Sequence, residues 1–302
     1  MRTCLVGSEM CIRDRFRWRA GVEKDGMSPP RSRFVFVAGL HRTGTSLLAR
    51  IIAAHPAVSA IENAPVPENE GCYLQGAIPH TALDGRPGHY ATDPLQHHTE
   101  QSPWNTLETQ RRLLSDWGGW FDPDKPWWLE KSPINLTRMR LYQQLFPTAQ
   151  FIVILRHPQL MAAALGKWVT DEPAALLRYG IDAYDTVAQD LPMLHASLVL
   201  RYEDLVSRPD AVRRAVFAFL SLEDHDPQIE LRDGNRDYRV GQPAEEDAVR
   251  RMARWGYAPG GEVHDFAPRI AHPLRSVRDA VSAALEDELQ SEQKEQKANI
   301  RQ

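Results

Sequence analysis

The sequence predicts an α/β fold, a doubly wound and mostly parallel sheet flanked by helices. Three observations carry that expectation. Short apolar runs, RFVFVAGL at 33–40, FIVIL at 151–155 and SLVLRY at 197–202, have the length and composition of strands buried on both faces. Each run leads through a turn into a segment with apolar residues at helical spacing. Such alternation builds parallel sheets, because a parallel neighbour needs a crossover helix.

The elements follow in order. Arg33–Leu40 is the first strand and Thr45–Ala54 the helix behind it, stopped by His55-Pro56. Residues 61–125 are polar and rich in Pro and Gly, a long irregular insertion of the kind that is functional or partly mobile. Within it, Asn105–Trp117 has helical character. PWWLEKSPIN (126–135) reads as a strand entering a turn, and 135–147 as an amphipathic helix with Leu136, Met139 and Leu145, closed by Pro147. AQFIVILRHP (149–158) is the clearest strand, followed by helices at 159–169 and 174–190. Ser197–Tyr202 is a further strand and Pro209–Leu220 the helix behind it. Residues 244–257 and 276–289 suit helices, the latter with Val277, Val281, Leu285 and Leu289 on one face.

The αβ rhythm passes residue 220 without a Gly/Ser linker, so we expect one domain at 31–290. Residues 291–302 read as a frayed polar tail. The run EMCIRDR (9–15) resembles the translation of a sequencing-library transposon end, so residues 1–30 are read as an artefactual or disordered arm.

Of 302 residues 42% are hydrophobic, enough for a large core, and the net charge of -4 argues against a generic nucleic-acid or anionic-membrane binder. No run approaches the about 18 apolar residues of a membrane helix. Cys4, Cys11 and Cys72 lack disulfide or metal-ligand spacing, and the N-terminus lacks a secretory apolar region. Both features point to the cytoplasm.

From Gly39 the chain reads G-x-x-x-x-G-T-S, between a predicted strand and a predicted helix. A nucleoside-triphosphate loop reads G-x-x-x-x-G-K-[ST], and its lysine reaches the outer phosphates. Here Thr45 stands at that position. Backbone N–H groups of residues 42–46 would face an anion at the helix N-terminus, where the dipole adds about half a positive charge. Arg42 supplies a full charge, Gly44 keeps the second glycine, and the Thr43, Thr45 and Ser46 hydroxyls are further donors. FIVIL ends in Arg156 rather than the carboxylate that a magnesium nucleotide needs, so the loop suits anionic oxygens without a metal.

Arg156 is a guanidinium fork suited to a second phosphate, or else a surface arginine after a strand. EKSP places Lys131 at the same crevice to neutralise a bridging or transferring oxygen; the alternative is a surface pair with Glu130. All three turns follow strands and should converge at the carboxyl edge of the sheet.

Together these turns resemble the sulfotransferases that use 3'-phosphoadenosine 5'-phosphosulfate (PAPS), over roughly residues 34–222. GLHRTGTSLL (39–48) is similar to their 5'-phosphosulfate loop, FIVILRHPQLMAAAL (151–165) to their 3'-phosphate segment, and LRYEDLVSRP (200–209) to the strand and turn after it. AHP (54–56), PENEG (67–71) and EKSP (130–133) are closest to the tyrosylprotein and bacterial sulfotransferase-3-like branch. The resemblance implies a P-loop-like fold, PAPS as co-substrate, no metal, and in-line transfer to an acceptor hydroxyl or amine. It implies donor contacts from Arg42, Thr43, Gly44, Thr45, Ser46, Arg156 and Tyr202. Many members carry a serine eight residues after the 3'-phosphate arginine; Ala164 stands there, and Lys167 is the candidate to replace it.

A transferring sulfuryl group carries less negative charge than a phosphoryl group, so arginine, amides and hydroxyls can replace lysine plus magnesium. Arg42 and Lys131 would stabilise the bridging oxygen, and the acceptor needs a general base. Glu70, Glu68 and Glu62 are the candidates, in that order. The base position of the tyrosylprotein enzymes falls at Asn63, beside Glu62, whereas Glu68 and Glu70 form the E-x-E-G segment of the bacterial branch. His41 and His80 are further candidates. Rival readings are an ATP- and magnesium-dependent P-loop kinase and a non-catalytic nucleotide-binding protein of the same fold. The acceptor stays open among small molecules, carbohydrates and peptides. The 61–125 insertion is expected to shape its pocket, with Trp104, Trp117, Trp120 and Trp127 as either its lining or core.

Overall fold

Strand β1 (Arg33–Ala38) alternates its side chains between two apolar layers, Phe34, Phe36 and Ala38 on one face and Val35 and Val37 on the other. That is the pattern of a central strand covered on both sides. The computed structural model describes residues 32–80, 87–240 and 244–286; the predicted arm at 1–30 and tail at 291–302 lie outside them. Contacts divide the chain into Met1–Arg31 and Ser32–Gln302, and every element named here belongs to the second unit.

Helix α1 (Thr45–Ala53) follows β1, then β2 (Val58–Ala60) and, within the insertion, α2 (Leu107–Gly118). Next come β3 (Trp127–Lys131), α3 (Met139–Leu145), β4 (Gln150–Leu155), α4 (Pro158–Leu165) and α5 (Pro173–Asp190). Strand β5 (Ser197–Arg201) runs into α6 (Tyr202–Ser207) and α7 (Pro209–Phe219). The chain continues through α8 (Glu246–Ala253), a hairpin of β6 (Tyr257–Ala258) and β7 (Glu262–Val263), β8 (Ile270–Ala271) and the helical residues 275–286. The sheet order is β2-β3-β1-β4-β5-β8, parallel throughout except for β8. This is the expected doubly wound α/β architecture. Chain direction along the sheet reverses at β1, between β3 and β4, so a crevice opens at their carboxyl ends.

One layer is aromatic: Phe36 stacks on Tyr142 with ring centroids 4.7 Å apart, and Phe34, Trp117, Phe146 and Phe151 pack around it. Trp117 and Trp127 are fully buried, and Trp104 and Trp120 pack against the core from its edge. The tryptophans of the insertion and of β3 are therefore core. Among the described residues no helix is long and apolar enough to cross a membrane.

Several element boundaries differ from expectation; the helix predicted at 159–169 ends at Leu165, so Lys167 lies beyond it. The helix predicted at 135–147 is a 3₁₀ turn (Pro133–Thr137) followed by α3, broken at Arg138 (φ -123°, ψ 0°). The amphipathic reading presumed a solvent face, but Pro133–Thr137 is wholly buried, and Asn135 donates to Val37 O and Glu130 instead. The strand predicted at 197–202 ends at Arg201, so Tyr202 opens a helix. The helix predicted at 244–257 stops at Ala253; Gly256 turns the chain at φ 72° and Tyr257 enters β6. In the last helix Val277, Val281 and Leu285 are buried as expected, whereas Leu289 lies outside the described residues.

The turn after β1 leaves no room at its first glycine. A Cβ at Gly39 would lie 2.6 Å from Ile154 O and 2.6 Å from Thr43 Oγ1, backbone on one side and turn on the other. Gly39→Ala should therefore cost about 1–3 kcal/mol in urea unfolding, the usual range for overpacking, and loosen the register of β1 against β4.

Candidate active site

Four neighbouring strands, β3, β1, β4 and β5, deliver their carboxyl ends to one cleft of about 650 Å³. Its lining includes Arg42, Gly44, Thr45 and Ser46 after β1, Arg156 after β4 and Tyr202 after β5, with Glu68 and Glu70 from the insertion. The turns after β1 and β4 meet here, and the EKSP turn reaches the cleft through Pro133, while Lys131 itself lines a neighbouring hollow.

The first turn is tight. Thr43 N–H and Oγ1 both donate to Leu40 O, at 3.2 and 2.7 Å. The Thr43 hydroxyl is thus engaged within the turn and fully buried, unlike those of Thr45 and Ser46, which line the cleft. Arg42 adopts φ 68° and Gly44 φ 99°, left-handed conformations that curl the backbone around the helix N-terminus. Gly44 caps α1 with no side-chain hydrogen bond, and the helix has no acidic residue in its own first turn; the carboxylate that meets that turn is Glu68 of the insertion, at Ser46 Oγ. A Cβ at Gly44 would meet the Tyr202 ring at 2.7 Å.

Arg156 is 5% exposed. Tyr184 brackets its backbone, donating to Arg156 O and accepting from Arg156 N–H. Its guanidinium donates to Arg42 O at 2.7 Å and to Asn235 Oδ1 at 2.7 Å, and lies over the Tyr202 ring at 4.7 Å. Arg42 donates to Tyr238 Oη at 3.1 Å and lies over the Trp168 ring at 4.6 Å. Lys167 reaches the cluster through the Tyr238 ring, 4.2 Å from its centroid. Among the described residues none of these three cations has a carboxylate partner; Asp237, which also lines the cleft, pairs with Arg232. Arg42 Nε and Arg156 Nη2 are buried and without hydrogen-bond partners. Ala164 is fully buried, its methyl packed inside α4 rather than in the cleft lining.

Tyr238, Asn235 and Trp168 were missed by sequence reasoning. Tyr238 lies in a polar stretch without periodicity, far from Arg42 in the chain. Only an aromatic amid charge, RDYR (236–239), could have flagged it. Burial disfavours its phenolate. The Arg42 hydrogen bond and the charges of Arg42, Lys167 and Arg156 outweigh that cost and hold its pKa below the ordinary tyrosine value.

On the other side of the first turn, Lys131 Nζ donates to Glu70 Oε1 and to Glu68 O, both at 3.0 Å. The alternative surface pair of Lys131 with Glu130 is absent. Glu130 is fully buried and accepts from Gly71 N–H, Ser132 Oγ and Asn135 Nδ2, which raises its pKa through burial against the pull of those donors. Held at Gly71, the PENEG segment presents Glu70 to the cleft. Burial pushes the Glu70 carboxyl up to about 7, with Lys131 opposing the rise. Glu68, at φ 51°, is exposed and accepts from Ser46 Oγ at 3.3 Å. Glu62 is exposed and lines a separate hollow with Lys131 and Asn63, away from Glu70. His41 lines the cleft, and burial, aided by the Lys131 charge, lowers its pKa to about 4. His80 packs edge-on to Tyr73.

Comparison with known proteins follows this geometry. The profile of the sulfotransferase family matches residues 35–226. A search of curated proteins found no match. Among solved structures, the chain is similar to the sulfotransferase domain of the Synechococcus PCC 7002 olefin synthase. That pair shares 17% identity with a TM-score of 0.45, covering 78% of this chain and 99% of that one. A sulfotransferase from Alicyclobacillus acidocaldarius shows 18% identity and a TM-score of 0.43, over 74% of this chain and 94% of that one. Sulfotransferase STF1 from Mycobacterium tuberculosis H37Rv shows 15% and 0.41, over 84% and 76%. The profile runs from β1 through α7 and so takes in every strand end that opens on the cleft: the chain belongs to the sulfotransferase family.

Proposed function

We propose that this sulfotransferase takes its sulfuryl group from PAPS and passes it to an acceptor hydroxyl or amine without a metal, in the cytoplasm. The observation that carries the reading is the pair Arg42 and Arg156 in one cleft, with Lys167 at its margin on the Tyr238 ring, none of them with a carboxylate partner among the described residues. Arginines without carboxylate partners beside a helix N-terminus suit an anion. The unpartnered Arg42 Nε and Arg156 Nη2 give a ligand with two anionic groups a donor from each strand end.

In this reading the amides of the first turn, Arg42, Thr45 and Ser46 hold the phosphosulfate end, and Arg156 the 3'-phosphate. Tyr202 packs against Gly44 and closes the turn from the β5 side, with no room even for a Cβ between them. Glu70 is the general base. The acceptor oxygen or nitrogen attacks sulfur, its proton passes to Glu70, and the sulfur–oxygen bond to the 5'-phosphate breaks. Negative charge then gathers on the departing phosphate oxygen, where Arg42 and the turn amides meet it. Two of the three Lys131 donors are engaged with Glu70 and the Glu68 carbonyl, so Lys131 serves mainly to keep Glu70 ionisable in a buried position. Glu68 and Glu62 are more exposed and stand aside from the proton transfer.

Thermal unfolding tests the donor. Saturating 3'-phosphoadenosine 5'-phosphate, at about 100 times its Kd, should add about 2.7 kcal/mol without magnesium. The gain should vanish in Arg42→Ala and Arg156→Ala. No gain, or one seen only with ATP and magnesium, would return the cleft to a kinase or a non-catalytic fold. A pH profile tests the base. A base works deprotonated, and burial raises the Glu70 pKa, so kcat/KM should climb as pH rises through about 7. Glu70→Gln should abolish that limb and slow turnover by about 10²–10⁴. An unchanged profile in the variant would remove Glu70 from the role.

A further inference from the structure

We propose that Tyr238 is a donor-specificity residue. Its ring holds Arg156 and Lys167 and its hydroxyl holds Arg42, in one constellation, so that the cleft favours a nucleotide anionic at both ends over one bearing a single phosphate. The inference rests on the donor reading above and adds a residue from outside the strand-end turns.

Like charges gathered in a cleft repel, and long side chains relieve that repulsion by swinging into water. Elsewhere in the chain carboxylates stabilise Arg201, with Asp204, and Arg213, with Asp224, while Arg33 and Arg269 lie over tryptophan rings. A carboxylate among the three cleft cations would organise them equally well, but it would also cancel the charge that an anion must find. An aromatic face attracts a cation and leaves its charge intact. Tyr238 supplies that face to Lys167 at 4.2 Å and to Arg156 at 5.3 Å, while its hydroxyl accepts one N–H of Arg42 and leaves Arg42 Nε free.

The loop that carries the ring is itself held in place, Tyr238 N–H donating to Asn235 O. Gly234 N–H donates to Tyr202 Oη at 2.7 Å, and Asn235 bridges Arg156 Nε and Glu203 Oε1. One side chain thereby touches the cation of the β1 turn, the cation of the β4 turn and the lysine after α4. A ligand with one anionic group can draw either arginine alone and tolerate the other straying. A ligand with two needs both in register at once, and Tyr238 is what they share.

The test is calorimetric titration of the full chain, wild type, Tyr238→Leu and Tyr238→Phe, with adenosine 3',5'-bisphosphate, adenosine 5'-monophosphate and adenosine 3'-monophosphate. Wild type should prefer the bisphosphate by ~100-fold or more, as two linked contacts allow. Tyr238→Leu should lower that preference by about tenfold or more, within the usual range of a coupling between sites. Its affinity for each monophosphate should change much less. Tyr238→Phe, which keeps the ring and loses the Arg42 bond, should recover part of the preference. An equal loss for all three nucleotides would mark Tyr238 as merely structural and overturn the proposal, as would no loss. Should Tyr238→Leu fail to fold, Tyr238→Phe decides alone, since an unaltered preference there removes the Arg42 link. Failure of the wild type to bind the bisphosphate is a separate result, and it would sink the donor reading itself.

Discussion

Parallel pairing of β1 with both β3 and β4 is the constraint on which the rest of the molecule depends. It brings three turns to one edge of the sheet with a spacing fixed by the ladder, about 4.8 Å per strand. Val37 lies level with Lys131 on one side and Ile152 on the other, so Lys131 stands at the foot of the glycine turn while Arg156 emerges further along, past the end of β4 at Leu155. Covering the sheet on both faces with apolar layers makes that register costly to shift, since a slip by one residue would turn Phe36 and Val37 into each other's layer. The chemistry is thus positioned by the core before any site residue contributes.

Within this frame two kinds of charge are handled in opposite ways. The acidic side is closed on itself: buried Glu130 is satisfied by three donors, and Glu70 shares a proton-rich contact with Lys131. Buried ionised groups persist only when paired or hydrogen-bonded, and these are. The basic side is left open, its cations supported by Trp168, Tyr202 and Tyr238 rather than neutralised. Aromatic support costs less binding power than ion pairing would, because no internal anion must be displaced when a ligand arrives. The two sides meet at Ser46, whose hydroxyl donates to Glu68 from the same turn that carries Arg42.

Much of this was legible in the sequence because strand, turn and helix are local patterns. Gly39 to Ser46, Lys131 and Arg156 announce themselves by following apolar runs, and their meeting needs only the rule that ligands gather at strand ends. Glu70 could be named as a candidate from the E-x-E-G segment, but its advantage over Glu68 and Glu62 is burial, which no spacing encodes. Glu130 read as a surface partner for Lys131, because a charged residue at a strand end usually is one; its burial depends on Gly71, Ser132 and Asn135 closing around it. Thr43 read as a ligand donor, though its hydroxyl closes its own turn. Tyr238 and Asn235 were invisible for a different reason: they reach the cleft across long stretches of chain from a segment with neither periodicity nor apolar content.

Glu203 gives that last segment a wider meaning. Its carboxylate accepts from His157 N–H, from Asn235 Nδ2 and from Tyr257 Oη, joining the β4 turn, the loop that carries Tyr238 and the β6–β7 hairpin at one point. The region shared with the family ends at residue 226, before two of those three partners. The hereditary unit and the working unit of this protein therefore have different borders. A chain ending with the shared region would retain the five parallel strands, the glycine turn and the Trp168 and Tyr202 rings, yet Arg42, Arg156 and Lys167 would lose the Tyr238 contact they have in common. Relatives with other C-terminal segments can accordingly inherit the same cradle while furnishing its far wall in their own way.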